Sequence, residues 1–229
     1  VAPNNAVSGN IIGLDAAGTA KVANAGSGVY VTSAGTGSMI GGTTASARNV
    51  ISGNGGDGIV VDGGGSSTAR NVVIQGNYIG TDISGSSALS NSRHGVYLYN
   101  AAASNTVGGT VSGAGNVISG NASYGVLIEG INNSVAGNTV GLNAAGTAAI
   151  SNSTGIYVNN VGSNTIGGTT ALARNVISGN TNDGIYITGA SATGNLIRGN
   201  YIGTNAAGTA AAGNGNAGIY IQASASGNT

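Results

Sequence analysis

A repeated hexapeptide constrains the fold of this chain more than any other feature. Asn-Val-Ile-Ser-Gly-Asn occurs at residues 49–54, 116–121 and 175–180. Each interval between copies holds two shorter units, and each unit holds three short apolar segments. Self-similarity at this period is typical of solenoids, in which one small unit is stacked many times.

The three segments recur in every unit. The first segment reads Gly-[Ile/Val]-x-[Ile/Val/Leu] and begins at Gly28, Gly58, Gly95, Gly125, Gly155, Gly184 and Gly218. The second segment centres on one β-branched residue, at Val7, Ile40, Ile74, Val107, Val135, Ile166 and Ile197. The third segment reads Asn-x-[Ile/Val], with its apolar residue at Ile12, Ile51, Ile79, Ile118, Val140, Ile177 and Ile202.

Side-chain alternation turns this pattern into a fold. Residues i and i+2 of a strand share a face, so the two apolar residues of each first segment point inward together. A single unit cannot cover them, whereas units stacked at ~4.8 Å bury them and satisfy the strand hydrogen bonds. The sequence therefore predicts an all-β parallel β-helix of about seven coils, with residues 1–229 forming a single domain.

The asparagine that opens each third segment is predicted to form a ladder. These residues would lie one above another at a bend and pass side-chain amide hydrogen bonds along the axis. Asparagine also tolerates the left-handed backbone of a bend. The predicted structural ladder consists of Asn10, Asn49, Asn77, Asn116, Asn138, Asn175 and Asn200.

Insertions alternate between two places. In one kind of unit the insert lies between the second and third segments, at residues 43–48, 110–115 and 169–174. In the other kind it follows the third segment, at residues 14–20, 81–88, 142–148 and 204–210. We expect the two kinds of insert to lie on different edges of the column.

Composition excludes several classes of function. Charged residues are 5% of the chain, against a usual ~25%, and the formal net charge is zero. This argues against a nucleic-acid partner or an anionic membrane surface. No apolar run approaches the ~18 residues of a membrane span, so no membrane insertion is expected. The chain has no cysteine, which excludes disulfides and thiolate metal sites.

The acidic residues offer little for catalysis. Asp15 and Asp82 are replaced by Asn143 and Asn205 in equivalent units, which a side-chain-capped turn tolerates and a general acid does not. We therefore expect no enzyme activity, no metal and no cofactor. The single histidine, His94, is interpreted as a solvated loop residue.

Four charged residues show a correlation that the sequence does not explain. The unit that has Arg48 also has Asp57, and the unit that has Arg174 also has Asp183. The equivalent third unit has Gly115 at the arginine position and no aspartate at the other position. A salt bridge within each unit is tempting, but the third segment lies between the two positions.

One outward position is rich in tyrosine. The middle residue of the first segment is Tyr30, Val60, Tyr97, Leu127, Tyr157, Tyr186 or Tyr220, and these residues are predicted to form a vertical stripe. One interpretation is a cross-strand ladder that stabilises the sheet. The other is a contact surface, with the five tyrosines as candidate binding residues for a glycan.

The repeat resembles that of a known superfamily. Gly-Ile-x-Ile followed by two Asn-x-Ile segments is similar to the parallel β-helix repeat of the pectin-lyase-like superfamily, and the resemblance covers essentially the whole chain. It implies a right-handed coil with three parallel sheets. The wording of residues 164–180, 184–187 and 200–210 is similar to repeats of large bacterial secreted and surface proteins, which are read as stalk or adhesive modules.

The predicted function is structural, in an extracellular or cell-surface protein that is either a stalk segment or a filament subunit. The chain begins just before a second segment, at Asn5, and stops just after a first segment, at 218–221. These partial units would sum to one coil if copies stacked head to tail, so self-association in that manner is expected. The alternative is a carbohydrate-binding surface adhesin, and a polysaccharide lyase or hydrolase comes third.

Overall fold

The chain folds as a parallel β-solenoid of about seven coils. A computed structural model describes residues 3–32, 35–65 and 69–229. The strands form three seven-stranded sheets, and every strand pairs in parallel with the strand three places along the chain. The predicted all-β, three-sheet fold is confirmed.

Each sheet collects one of the three segments of the repeat. The second-segment sheet holds β1 (Ala6–Val7), β4 (Met39–Gly41), β7 (Val73–Gln75), β10 (Thr106–Gly108), β13 (Ser134–Ala136), β16 (Thr165–Gly167) and β19 (Leu196–Arg198). The third-segment sheet holds β2 (Ile11–Ile12), β5 (Val50–Ile51), β8 (Tyr78–Ile79), β11 (Val117–Ile118), β14 (Thr139–Val140), β17 (Val176–Ile177) and β20 (Tyr201–Ile202). The first-segment sheet holds β3 (Val29–Val31), β6 (Ile59–Asp62), β9 (Val96–Tyr99), β12 (Tyr124–Ile128), β15 (Thr154–Asn159), β18 (Ile185–Thr188) and β21 (Ile219–Gln222).

We number the coils 1 to 7 in chain order, so that coil 1 contains β1, β2 and β3.

The inward apolar residues form a single core along the axis. Ile51, Ile118 and Ile177 of the third-segment sheet have no exposed surface. They face Ile59, Val126 and their equivalents from the first-segment sheet, in the same buried cluster. β-branched side chains suit this site because they fill a pleated surface with few rotamers to lose.

The asparagine ladder has the predicted geometry. Each Nδ2 donates to the Oδ1 of the next coil at 2.9–3.0 Å, from Asn10 to Asn49 and onward to Asn200. The same Oδ1 also accepts the backbone N–H of the coil below, as Asn138 Oδ1 does from Asn116 at 3.1 Å. Each ladder asparagine between the two end coils thus hydrogen-bonds to the coil below it and to the coil above it.

Two further ladders occupy the other bends. One runs from coil to coil at 2.8–3.1 Å through Asn24, Asn54, Asn91, Asn121, Asn152, Asn180 and Asn214. The other runs at 2.9–3.2 Å through Asn105, Asn133, Asn164, Asn195 and Asn228. Sequence reasoning missed both. Their signals are an asparagine four residues before most of the first-segment glycines, and an asparagine two residues before the second-segment apolar residue.

The inserts lie at two different bends, as expected. The inserts of coils 2 and 6 contain short 3₁₀ helices, Ala45–Ala47 and Ala171–Ala173. The inserts of coils 1, 3, 5 and 7 are hairpins closed by the antiparallel bridges Leu14–Lys21, Thr81–Ala88, Leu142–Ala149 and Thr204–Ala211.

Candidate functional site

The outward face of the first-segment sheet carries most of the aromatic side chains. Strand register places Tyr30, Val60, Tyr97, Leu127, Tyr157, Tyr186 and Tyr220 in one column along the axis. We call these seven residues the tyrosine column. Its geometry is as predicted, while its role as a contact surface stays a prediction.

The upper part of the column is a stack of rings. Tyr157 and Tyr186 lie 4.8 Å apart with an interplanar angle of 9°, and Tyr186 and Tyr220 lie 5.3 Å apart at 13°. Burial raises the pKa of the Tyr157 hydroxyl. Offset ring contacts of this kind contribute about 0.5–1.5 kcal/mol each beyond the area that they bury. This part of the column therefore stabilises the sheet.

The lower part of the column contains two aliphatic residues among the rings. Val60 and Leu127 are 3% and 5% exposed, whereas Tyr30 is 53% exposed. Tyr97 contacts Tyr99 of the same strand at 4.9 Å with a tilt of 50°. The exposed aromatic surface is consequently concentrated at the coil 1 and coil 3 levels and at the coil 7 end.

His94 belongs to this cluster, so its interpretation as a solvated loop residue was wrong. It is 7% exposed, its ring stacks on Tyr124 at 4.9 Å, and it makes a T-shaped contact with the ring of Tyr97 at 5.3 Å. The Nδ1 atom accepts the backbone N–H of Tyr124 at 3.3 Å. Burial lowers the pKa of His94, an effect that Asp57 and Glu129 oppose and Arg93 reinforces. A neutral imidazole is what a buried acceptor requires.

Two carboxylates anchor tyrosine hydroxyls in the column. Tyr30 donates to Asp62 at 2.7 Å, and this bond raises the pKa of Tyr30 to about 12. Tyr97 donates to Glu129 at 2.7 Å, and burial together with this bond raises the pKa of Tyr97. Glu129 also accepts from Asn159 Nδ2 at 2.8 Å. The carboxylates thus fix the rings in place, and the tyrosines stay protonated at neutral pH.

A hollow of about 470 Å³ opens beside the lower part of the column. Tyr30, Tyr97 and Tyr99 line it together with Val60, and its polar edge is formed by Ser27, Asp57 and Arg93. The carboxylate of Asp57 lies 3.5 Å from Arg93 Nη1 and accepts the backbone N–H of His94 at 3.0 Å. The hollow thus combines aromatic walls with a charged, hydrogen-bonding rim.

The unexplained arginines contact tyrosines of the next coil. The guanidinium of Arg48 lies 4.1 Å from the ring centroid of Tyr78, and that of Arg174 lies 4.0 Å from the ring of Tyr201. Coils 4 and 5 are the equivalent pair that lacks this contact, and there Thr139 occupies the position of the tyrosine. A side chain at Gly115 would meet the backbone oxygen of Gly137 at 2.0 Å, so no arginine fits there.

The two aspartates of the same correlation act separately from the arginines. Asp183 accepts from the backbone N–H of Ala217 at 3.0 Å and from Asn216 Nδ2 at 2.8 Å. Asp57 makes the equivalent backbone contact to His94. Each of the four residues therefore has its partner in the following coil rather than within its own unit, in line with the third segment that separates the arginine from the aspartate.

The acidic turn residues cap hairpins. Asp15 Oδ1 accepts the backbone N–H groups of Thr19 and Ala20 at 2.8 and 3.0 Å. Asn143 Oδ1 makes the same two bonds to residues 147 and 148, at 2.8 and 3.2 Å. The bond from the Ala20 N–H is the main reason that the pKa of Asp15 is lowered. Among residues 3–32, 35–65 and 69–229, no group of three or more His, Asp or Glu side chains is arranged to hold a metal ion.

Comparison with family models, with curated proteins and with solved structures found no match to this chain. The fold defines it as a three-sheet parallel β-solenoid, and the pectin-lyase-like resemblance stays a prediction. In the described part of the chain, no helix has the length and apolar character needed to cross a membrane.

Proposed function

We propose that the protein is a structural column, a stalk segment of an extracellular or cell-surface protein. The observation that carries this proposal is that the buried polar side chains of the stack are all hydrogen-bonded among the described residues. Three asparagine ladders tie successive coils together, and among the described residues no buried side-chain nitrogen or oxygen lacks a hydrogen-bond partner. Such a stack is stiff because each coil is bonded to both neighbours through backbone and side chains.

Localisation and imaging test this proposal together. Antibodies raised against the purified chain should label intact cells of the source organism, and immunogold electron microscopy should place the label on rods or fibres. Label confined to the cell interior, or label on isolated particles without rods, would contradict a stalk.

The alternative to a stalk segment is a filament subunit, whose copies would stack head to tail. The asparagine ladders support it because they are polar. Each Nδ2 donates toward the C-terminal end, so the first ladder presents an amide N–H at Asn200 and an amide oxygen at Asn10. The ladders are the one feature that favours stacking of copies, whereas the axial space that the hairpins of coils 1 and 7 occupy argues against it.

A carbohydrate-binding face is the second candidate. The hollow beside Tyr30, Tyr97 and Tyr99 supports it, because aromatic walls bind apolar sugar faces while Asp57 and Arg93 offer hydrogen bonds to hydroxyls. A glycan array with the purified chain tests it, together with reducing-end and lyase assays for the third possibility, a polysaccharide-degrading enzyme.

A matched pair of variants makes the glycan test specific. Tyr99→Ala removes a wall of the hollow, whereas Tyr201→Ala removes a tyrosine on another sheet. Glycan binding that is lost in the first variant and kept in the second supports the adhesin. Binding that is unchanged in both, or no binding by the parent, rejects it.

A further inference from the structure

Two kinds of coil alternate in this protein, and each fits only the other kind. Coils 1, 3, 5 and 7 carry hairpins, which we call hairpin coils. Coils 2, 4 and 6 carry the hexapeptide Asn-Val-Ile-Ser-Gly-Asn instead, and we call them hexapeptide coils. The question is what each open end of the column can accept.

Hairpins two coils apart already touch. The backbone N–H of Ile83 donates to the oxygen of Gly18 at 3.0 Å, that of Ala144 to Gly85 at 2.8 Å, and that of Ala206 to Gly146 at 2.9 Å. Each hairpin therefore occupies the axial space of two coils, roughly 9.6 Å at ~4.8 Å per coil.

The hairpin tips leave no room for closer approach. A Cβ atom added at Gly18 would lie 2.7 Å from Ile83 Cβ, and one added at Gly146 would lie 2.3 Å from Ala206 Cβ. Both glycines also have positive φ values, 66° and 67°. A hairpin on the coil between two others would overlap with its neighbours.

The hexapeptide coil makes three specific contacts with the hairpin coil that follows it. Ser52 Oγ donates to the oxygen of Thr81 at 2.7 Å and accepts the N–H of Gly80 at 2.9 Å. The N–H of Gly53 donates to the oxygen of Leu89 at 2.7 Å.

The next junction repeats this arrangement. Ser119 Oγ donates to Leu142 at 2.7 Å and accepts from Gly141 at 3.0 Å, and Gly120 donates to Ile150 at 2.9 Å. Serine and glycine of the hexapeptide thus recognise the base of the following hairpin.

The same hairpin base is exposed at the coil 1 edge. Val22 occupies the position of Ile150, since each donates its N–H to the glycine at the start of its own hairpin. Val22 is 62% exposed and Ile150 is 8% exposed. The coil 1 edge therefore presents the surface that a hexapeptide coil covers elsewhere.

We propose that the partner of either edge is a hexapeptide coil, and that two copies of this chain do not stack edge to edge. Direct stacking would place the coil 7 hairpin, residues 204–210, one coil below the coil 1 hairpin of the next copy, residues 14–20. Each of these two hairpins would then have only half of the axial space that a hairpin occupies inside the column. The inference rests on the proposed function, because it specifies how a stalk built from these coils continues.

Converting the hairpin coil at one edge into a hexapeptide coil tests this proposal directly. Replacing residues 13–24 with Ser-Gly-Asn gives coil 1 the bend of a hexapeptide coil, because Asn24 and Asn54 share a ladder. The matched control makes the same replacement at residues 141–152, inside the column, and leaves both edges unchanged. All proteins are compared by sedimentation velocity and negative-stain electron microscopy over a range of concentrations, after circular dichroism has established that they are folded.

We expect the parent and the control to stay monomeric and the coil 1 variant to form end-to-end rods. The equivalent replacement of residues 203–214 at the other edge should also form rods, which covers the case in which the first variant does not fold. End-to-end stacking of the parent, or folded edge variants that stay monomeric, would overturn the inference. Neither of these results bears on the proposal that the protein is a stalk segment. That proposal is contradicted only if native material lacks rods or lies inside the cell.

Discussion

Asn138→Ala is the sharpest test of the ladders. The substitution leaves the Asn116 backbone N–H, which donates to Asn138 Oδ1 at 3.1 Å, without an acceptor in a buried bend. It also removes the bond from Asn116 Nδ2 at 2.9 Å and the bonds from Asn138 Nδ2 to Val107 O at 2.9 Å and to Asn175 Oδ1 at 3.0 Å. Asn175 Oδ1 keeps a donor, because the backbone N–H of residue 138 still reaches it at 2.9 Å.

These losses set the magnitude. One orphaned buried N–H costs about 1–3 kcal/mol, and each of the three further bonds contributes about 1 kcal/mol. We therefore expect the free energy of unfolding to fall by about 4–6 kcal/mol. For a chain of this size, 1 kcal/mol corresponds to roughly 2–4 °C, so the melting temperature should fall by roughly 10–20 °C.

Asn10→Ala is the matched control, because Asn10 has the same ladder position in an exposed end coil. Water can replace its lost partners, so the expected loss is under about 1 kcal/mol. Thermal melting followed by far-UV circular dichroism compares the two variants. Equal melting temperatures for Asn138→Ala and Asn10→Ala would refute the claim that buried ladder bonds hold the coils together.

Three further predictions follow from the core, the turns and the buried histidine. Ile177→Asp buries an unpaired carboxylate at a site with no exposed surface and should cost several kcal/mol, whereas Ile11→Asp, at 36% exposure, should cost little in the same melt. A strong chelator should leave the melting temperature unchanged, and so should Asp82→Asn, because asparagine already caps the equivalent turns; a clear drop with chelator would restore a cation role. Since the folded-state pKa of His94 is lowered, stability should be full above about pH 6.5 and fall as the pH decreases below it. His94→Gln should remove this dependence between about pH 7.5 and pH 5.5, and an unchanged slope would show that His94 is not its source.

Sequence alone predicts the parts of this structure that repeat in every coil. The inward aliphatic residues and the first ladder recur seven times, so their spacing defines strands, register and bend without tertiary information. The second and third ladders carry similar signals, but their asparagines lie in segments of variable length. Only the stacked coils show that Asn54 and Asn91 are neighbours, although 36 residues lie between them.

The features that the sequence did not predict depend on contacts between coils. His94 is buried by Tyr124 and Tyr97, and the burial of a single unrepeated residue has no periodic signal. Arg48 correlates with Asp57 along the chain, but its ring partner, Tyr78, lies in the next coil. The axial thickness of the hairpins is likewise a property of pairs of coils, and it decides how the column can be extended.

The most direct test of the account is the register of neighbouring coils, measured by disulfide formation. The chain has no cysteine, and Asn159, Thr188 and Gln222 occupy one outward column on three successive coils. Strands at ~4.8 Å place adjacent members within the Cα distance of a disulfide, about 4.4–6.8 Å, and place alternate members at roughly 9.6 Å. Under mild oxidation, cysteine pairs at 159 and 188 and at 188 and 222 should cross-link within the monomer, and the pair at 159 and 222 should not. Cross-linking of the 159 and 222 pair, or failure of both adjacent pairs in folded protein, would contradict the stacked solenoid.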